Sequence, residues 1–145
     1  SAAALAEQAA ARASGRFAPF LLLAFDVAGV HQVRWDGARA EANRMTDADR
    51  PVSTSSFEPA RVIACRRARY AALAGAAPTP EELERYHFSV DAAGGPCSVC
   101  MTREDARTVS FSRVRIAPEQ ITFDYRARTS DNEWSDRQRT ILPRT

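Results

Sequence analysis

The stretch FAPFLLLAF, residues 17–25, is the longest nearly unbroken apolar run in the chain. A bilayer-crossing helix needs about 20 consecutive apolar residues, so this run is too short to span a membrane and has the length of a β-strand. An apolar run without alternation predicts a strand buried on both faces. Ala28-Gly29 marks a turn, and VHQVRWDG, residues 30–37, reads as the return strand of a hairpin. Asp36-Gly37 is a second turn signal. ARAEANRM, residues 38–45, alternates small and polar side chains as a weak third strand.

The rest of the chain falls into blocks around this hairpin. Residues 2–14 are Ala-rich and predict a helix capped by Ser1 and stopped by Gly15. This start lacks a basic region, and Glu7 and Gln8 interrupt its apolar face, so it does not read as a signal peptide. PVSTSSF, residues 51–57, predicts a short strand or strand end. A helix follows through Gly75, with Ser56 as its cap and Pro59 early in it; Val62, Ile63, Arg66, Tyr70 and Leu73 share roughly one face. A second, short helix is predicted after Thr79, an N-cap followed by Pro80, Glu81 and Glu82. DAAGGP, residues 91–96, is a flexible break. PCSVCMTREDARTVSFSRVRI, residues 96–116, reads as a hairpin, and ITFDYRAR, residues 121–128, as a further strand. Blocks of strands and helices, without strict alternation, predict an α+β fold with helices packed on antiparallel sheets. Residues 1–128 are expected to form a single α+β domain. Residues 129–145 read as a polar, partly disordered tail.

Charge excludes some functions. The formal net charge is +2 over 145 residues, which gives no electrostatic case for a nucleic-acid partner. All 20 basic residues are arginine. The chain is also rich in alanine, and both biases fit a GC-rich genome better than an arginine-specific function. Three cysteines do not make a disulfide framework in a chain of this length, so a reducing, cytoplasmic setting is expected.

Cys97 and Cys100 have a C-x-x-C spacing. In an extended strand an odd separation puts side chains on opposite faces, so the two are expected as small buried hydrophobes. A zinc site needs further ligands, and Cys65, His31 and His87 lie on separate predicted elements. A thioredoxin-like site needs its cysteines at a helix start, and M-T-R-E-D follows instead. No metal or cofactor is expected. With residues 103–106 as the hairpin loop, Thr102 faces Arg107 and Cys100 faces Val109. Val109 and Phe111 then share a face with Arg113 and Arg115, while Ser110, Ser112, Val114 and Ile116 share the other. The apolar face is thus expected to switch near Ser112.

Few residues carry chemistry. Ser1 as an N-terminal nucleophile is disfavoured because a helix follows it directly. The hydroxyls at 53–56 read as helix caps, or as a polar pocket wall or an anion site at a helix N-terminus. Arg103, Glu104 and Asp105 read as a solvated hairpin tip, and His31 as a packed or surface residue. The candidate pocket residues are Thr54, Ser55, Ser56, His87, Cys100 and Ser110, and none is assigned a catalytic role.

Several segments together resemble one family. Pro19–Gly37, an apolar strand ending in R-W-D-G, resembles the later part of NRDE-family proteins, also called the transport-and-Golgi-organisation-2 family. P-V-S-T-S-S-F before a helix is similar to that family's T-S-S-S segment. S-V-C-M-T-R-E-D-A-R-T-V-S resembles a C-terminal hairpin of its bacterial members. The resemblance covers residues 1–127 and implies part of an αββα N-terminal-nucleophile-hydrolase-like sandwich. It implies amide or acyl hydrolysis, or haem or lipid trafficking as in eukaryotic relatives. The family's N-R-D-E segment and cysteine belong to its N-terminal part. Asn43-Arg44-Met45-Thr46 echoes that segment but lacks the acidic pair. The resemblance therefore implies a C-terminal half, or a truncated relative, whose nucleophile lies outside this chain. Its expected partner is the N-terminal half of the same protein, or a second copy completing the sheets. The alternative is a non-enzymatic small-molecule binding or trafficking module, with a pocket between the hydroxyl cluster and the hairpin.

Overall fold

The computed structural model describes residues 1–55, 57–92, 94–130 and 133–144. The chain divides into two compact units, Ser1–Asp49 with Ile116–Glu119, and Arg50–Arg115 with Gln120–Thr145. The fold is α+β, built from helices and two three-stranded antiparallel sheets.

In the first unit, helix α1 (Ala2–Arg12) packs on a sheet of order β1-β2-β3, formed by Phe20–Asp26, Gly29–Trp35 and Ala40–Arg44. Ser1 caps α1, its Oγ accepting from Ala4 N. The helix ends before the predicted Gly15 because Ala13 is already extended, with ψ 129°. Gly15 instead lies in a turn closed by Phe17 N donating to Ser14 O. Asp26 and Gly29 pair across the β1–β2 hairpin. The Asp26 carboxylate accepts from Ala28 N in the turn and from Ala2 N at the start of α1, both at 2.8 Å. These N–H donors, Ala2 first, hold the carboxyl below its ordinary pKa.

Register sets which face of this sheet is inside. Trp35 and Val33 lie opposite Phe20 and Leu22; Val33 is fully buried, and Trp35 donates from Nε1 to Phe17 O at 3.0 Å. The expectation that the apolar run is buried on both faces is not met. β1 is an edge strand, and Leu22 and Phe25 remain 41% and 51% exposed. The weak third strand does form, because β2 offers it a complete backbone edge from His31 to Trp35.

In the second unit, α2 (Pro59–Ala74) and α3 (Pro80–His87) pack together. The predicted cap Ser56 lies outside the described residues. The residue that caps α2 is Glu58, in a left-handed conformation (φ 39°) and without a side-chain cap bond; its carboxylate pairs with Arg61 instead. Residues 51–55 form no strand. α3 starts as its sequence dictates: Glu82 N donates to Thr79 Oγ1, and Thr79 N donates to the Glu82 carboxylate. Tyr86 is buried and meets Tyr70 edge-to-face, with centroids 5.1 Å apart.

The second sheet has the order β4-β5-β6, formed by Ser110–Ile116, Gln120–Ala127 and Gln138–Pro143. Part of the expected polar tail is therefore a strand, with Asp124 directly opposite Arg139 in the antiparallel β5–β6 pair. Thr102 does bridge Arg107, and Arg103 N donates to Ala106 O across the loop, as the hairpin register predicts. The pairing continues to Met101, whose O accepts from Thr108 N, but Val109 O accepts from Arg128 N and not from Cys100 N. Val99 N and Cys100 N both donate to Ser89 O, which draws that segment away from β4.

The expected face switch near Ser112 does not occur. Phe111 and Arg113 are both part-buried, whereas Ser112 and Val114 are exposed. A charge continues the inner face because Asp124 neutralises it. This aspartate is 3% exposed, and its carboxylate accepts from Arg113 Nη2 at 2.8 Å and Arg139 Nε at 2.6 Å. The Arg139 and Arg113 bonds hold its carboxyl well below the usual carboxylate range, against the opposing effect of burial. Arg113 and Arg137 also reach Glu84 on α3, which ties the helix to the sheet.

Candidate anion site at Arg66 and Arg103

Arg66 lies on the inner face of α2, at the helical spacing shared with Val62 and Tyr70. Its guanidinium is held by neutral acceptors. Nη1 donates to Ser53 Oγ at 2.9 Å and Thr54 O at 3.2 Å, and Nη2 donates to Pro96 O at 2.8 Å. Burial lowers its pKa from the ordinary arginine value; the nearby Tyr86 opposes that shift and the Arg103 charge adds to it. An arginine stays protonated even so, and a positive charge is thus part-buried among uncharged partners.

Arg103, on the hairpin loop, is not the solvated residue that its sequence context predicts. Its side chain is 18% exposed. It stacks over the Phe57 ring, 5.7 Å from the centroid, and Nη2 pairs with Asp105. Phe57 is presented by Ser55, whose Oγ accepts from Phe57 N and donates to Phe57 O. The hydroxyl segment and the hairpin loop are thereby brought together.

The two arginines share one further property. The Nε–H of Arg66 and the Nε–H of Arg103 are both buried, and neither has an acceptor among the described residues. Buried donors are nearly always paired, and a guanidinium is built to bind a carboxylate or phosphate through adjacent N–H groups. Arg103 lies near enough for its charge to lower the Arg66 pKa, so each of two neighbouring cations keeps one donor without an acceptor among the described residues.

The other candidates lie elsewhere. His87 packs against Phe111 and Tyr86, at 5.6 Å and 5.3 Å between centroids. The residue retains exposed surface, but its ring is wedged between aromatic neighbours, and desolvation lowers its pKa. Neither histidine hydrogen-bonds a hydroxyl or a thiol among the described residues. Ser110 starts β4. Cys100 is a buried free thiol, and Ser56 lies outside the described residues. Thr54 and Ser55 alone belong to the site, Thr54 through its backbone carbonyl.

The cysteine expectation is overturned. Cys65 of α2 and Cys97 are joined in a disulfide. Residues 95–97 form a turn of 3-10 helix and not a strand, so strand parity does not apply, and Cys97 turns toward α2. The cytoplasmic setting inferred from the cysteine count loses that basis, since disulfides persist mainly in oxidising compartments. Cys65 also lines an open groove of about 340 Å³ with Arg69, Leu73 and Asp91. The charges there are spent on each other, Arg69 pairing with Asp91 at 2.7 Å, so the groove is no anion site. Among the described residues no cluster of three or more metal-ligating side chains occurs, and no helix is long and apolar enough to cross a membrane.

No protein-family model matches the chain, and no characterised protein or solved structure matches it significantly.

Proposed function

We propose that the second unit binds a small anionic ligand, of the carboxylate or phosphate class, at Arg66 and Arg103, and that the protein acts there as a non-enzymatic binding module. The observation that carries this reading is the pair of buried, unpartnered Nε–H donors. Part-burying the Arg66 charge among neutral acceptors is costly without a counter-charge, and an anion would supply one. A phosphate monoester, a lipid phosphate and a haem propionate all present this chemistry. The ligands implied by the NRDE-family resemblance fall within the same class. Amide or acyl hydrolysis, the resemblance's other implication, needs a nucleophile from outside this chain, and so does a role for the N-terminal half as partner. The anion site requires neither.

The test is a titration of 15N-labelled protein with inorganic phosphate and, separately, with succinate, read at the arginine Nε–H resonances. Arg66→Gln and Arg103→Gln identify the two signals. Saturable shifts of both, with a Kd of about 1 mM or tighter, are expected for at least one titrant. Absence of saturable shifts at both Nε–H groups with either anion refutes the reading.

A further inference from the structure

The disulfide and the key arginine join the same two segments of chain. Cys65 bonds to Cys97, and the adjacent Arg66 donates to the adjacent Pro96 O. The covalent link holds the Gly95–Cys97 turn against α2, where its carbonyl orients the guanidinium. Two glycines precede Pro96 with positive φ, Gly94 at 67° and Gly95 at 74°, and nothing crowds either one. Glycine at both positions leaves that backbone conformationally permissive, while Ser98 Oγ, accepting from Asp91 N, and Ser89 O, accepting from Val99 N and Cys100 N, anchor the residues that follow.

We propose that the Cys65–Cys97 bond is a redox gate on the anion site, an inference that rests on the binding function given above. In the oxidised state Ser53, Thr54 and Pro96 fix Arg66, so little ordering remains to be done when an anion binds. In the reduced state the turn leaves α2, Arg66 loses the Pro96 acceptor, and affinity falls. The reductant is a dithiol. Its thiolate attacks Cys65, which lines the open groove, and forms a mixed disulfide, expelling Cys97 as a thiolate. Its second thiol then displaces Cys65, and the dithiol leaves as its own disulfide. Cys65 and Cys97 together take up two electrons and two protons. Val62 O lies 3.2 Å from Cys65 Sγ and is placed to accept the new S–H.

The experiment follows the Arg66 Nε–H resonance during phosphate titration of oxidised, dithiothreitol-reduced and reoxidised protein, with Cys65→Ser/Cys97→Ser as a permanently open form. Reduction is expected to weaken binding about tenfold and reoxidation to restore it, with the double variant matching the reduced protein. Equal affinity in the two redox states, within about twofold, overturns the gate. Far-UV circular dichroism accompanies each state. Loss of helix on reduction of the wild type also overturns the proposal, because the bond is then a structural staple. If oxidised protein binds neither phosphate nor succinate, the anion reading fails by itself, and the gate is judged by solvent exchange of the Arg66 guanidinium protons and Ser98 N–H. Faster exchange on reduction supports the gate, and unchanged exchange overturns it.

Discussion

Reducing the Cys65–Cys97 bond should destabilise the second unit by an amount that follows from where the bond sits. It joins residues 32 apart in sequence. The chain-entropy relation assigns about 3.7 kcal/mol at 25 °C to closing a loop of that length in the unfolded chain. Measured values often fall short of this relation, so a loss of about 2–4 kcal/mol is expected. Small domains have about 5–15 kcal/mol of stability, so the reduced unit should remain folded. With a urea m-value of about 2 kcal/mol/M, the unfolding midpoint should fall by about 1–2 M. The assay is urea unfolding by circular dichroism with and without dithiothreitol, beside thiol alkylation of the denatured protein. Alkylation should find Cys100 alone before reduction and all three cysteines after it. Three reactive thiols before reduction, or a midpoint that does not move on reduction, would refute the reasoning.

Two further outcomes test the frame around the site. Asp124→Asn removes the shared carboxylate from Arg113 and Arg139. Arginine side chains cover Asp124 more than deep core does, so the low end of the range for breaking a buried pair applies, about 3 kcal/mol by thermal or urea unfolding. Because the folded-state pKa is depressed, wild type should carry this contribution above the ordinary carboxylate pKa and lose it as pH falls through the folded value, while the variant shows a flatter acid limb. A stability change in Asp124→Asn of under about 0.5 kcal/mol, the scale of a surface substitution, would contradict the buried-pair account. Thr79→Ala should cost about 1 kcal/mol by removing the capping box of α3, and Thr79→Ser should restore most of it; equal melting temperatures for all three proteins would show that the cap contributes nothing.

Local signals were read correctly where the energy that forms an element is itself local. The α3 start needs only Thr79, Pro80 and Glu82, all within one turn. The β1–β2 hairpin needs only a strand-length apolar run, a turn and a return strand. β6 was missed because its six residues are all exposed and lack a period; it is a strand through its backbone pairing with β5 and the Asp124–Arg139 ion pair. The face switch expected near Ser112 failed for the same reason. Arg113 points inward only because Asp124, distant in sequence, meets it there.

The candidate site divides along the same line. The hydroxyls at 53–55 were visible as composition. One signal for Arg66 was also present, a charged residue at core spacing between Val62 and Tyr70. By itself the sequence determined the fold class, the helix caps made by neighbouring side chains and the hairpin register at Thr102–Arg107. Only tertiary structure decided that Cys65 meets Cys97, that Pro96 faces Arg66, and that two Nε–H groups are buried without acceptors among the described residues. Each depends on segments far apart in the chain meeting in space, and burial of a donor is a property of everything that surrounds it.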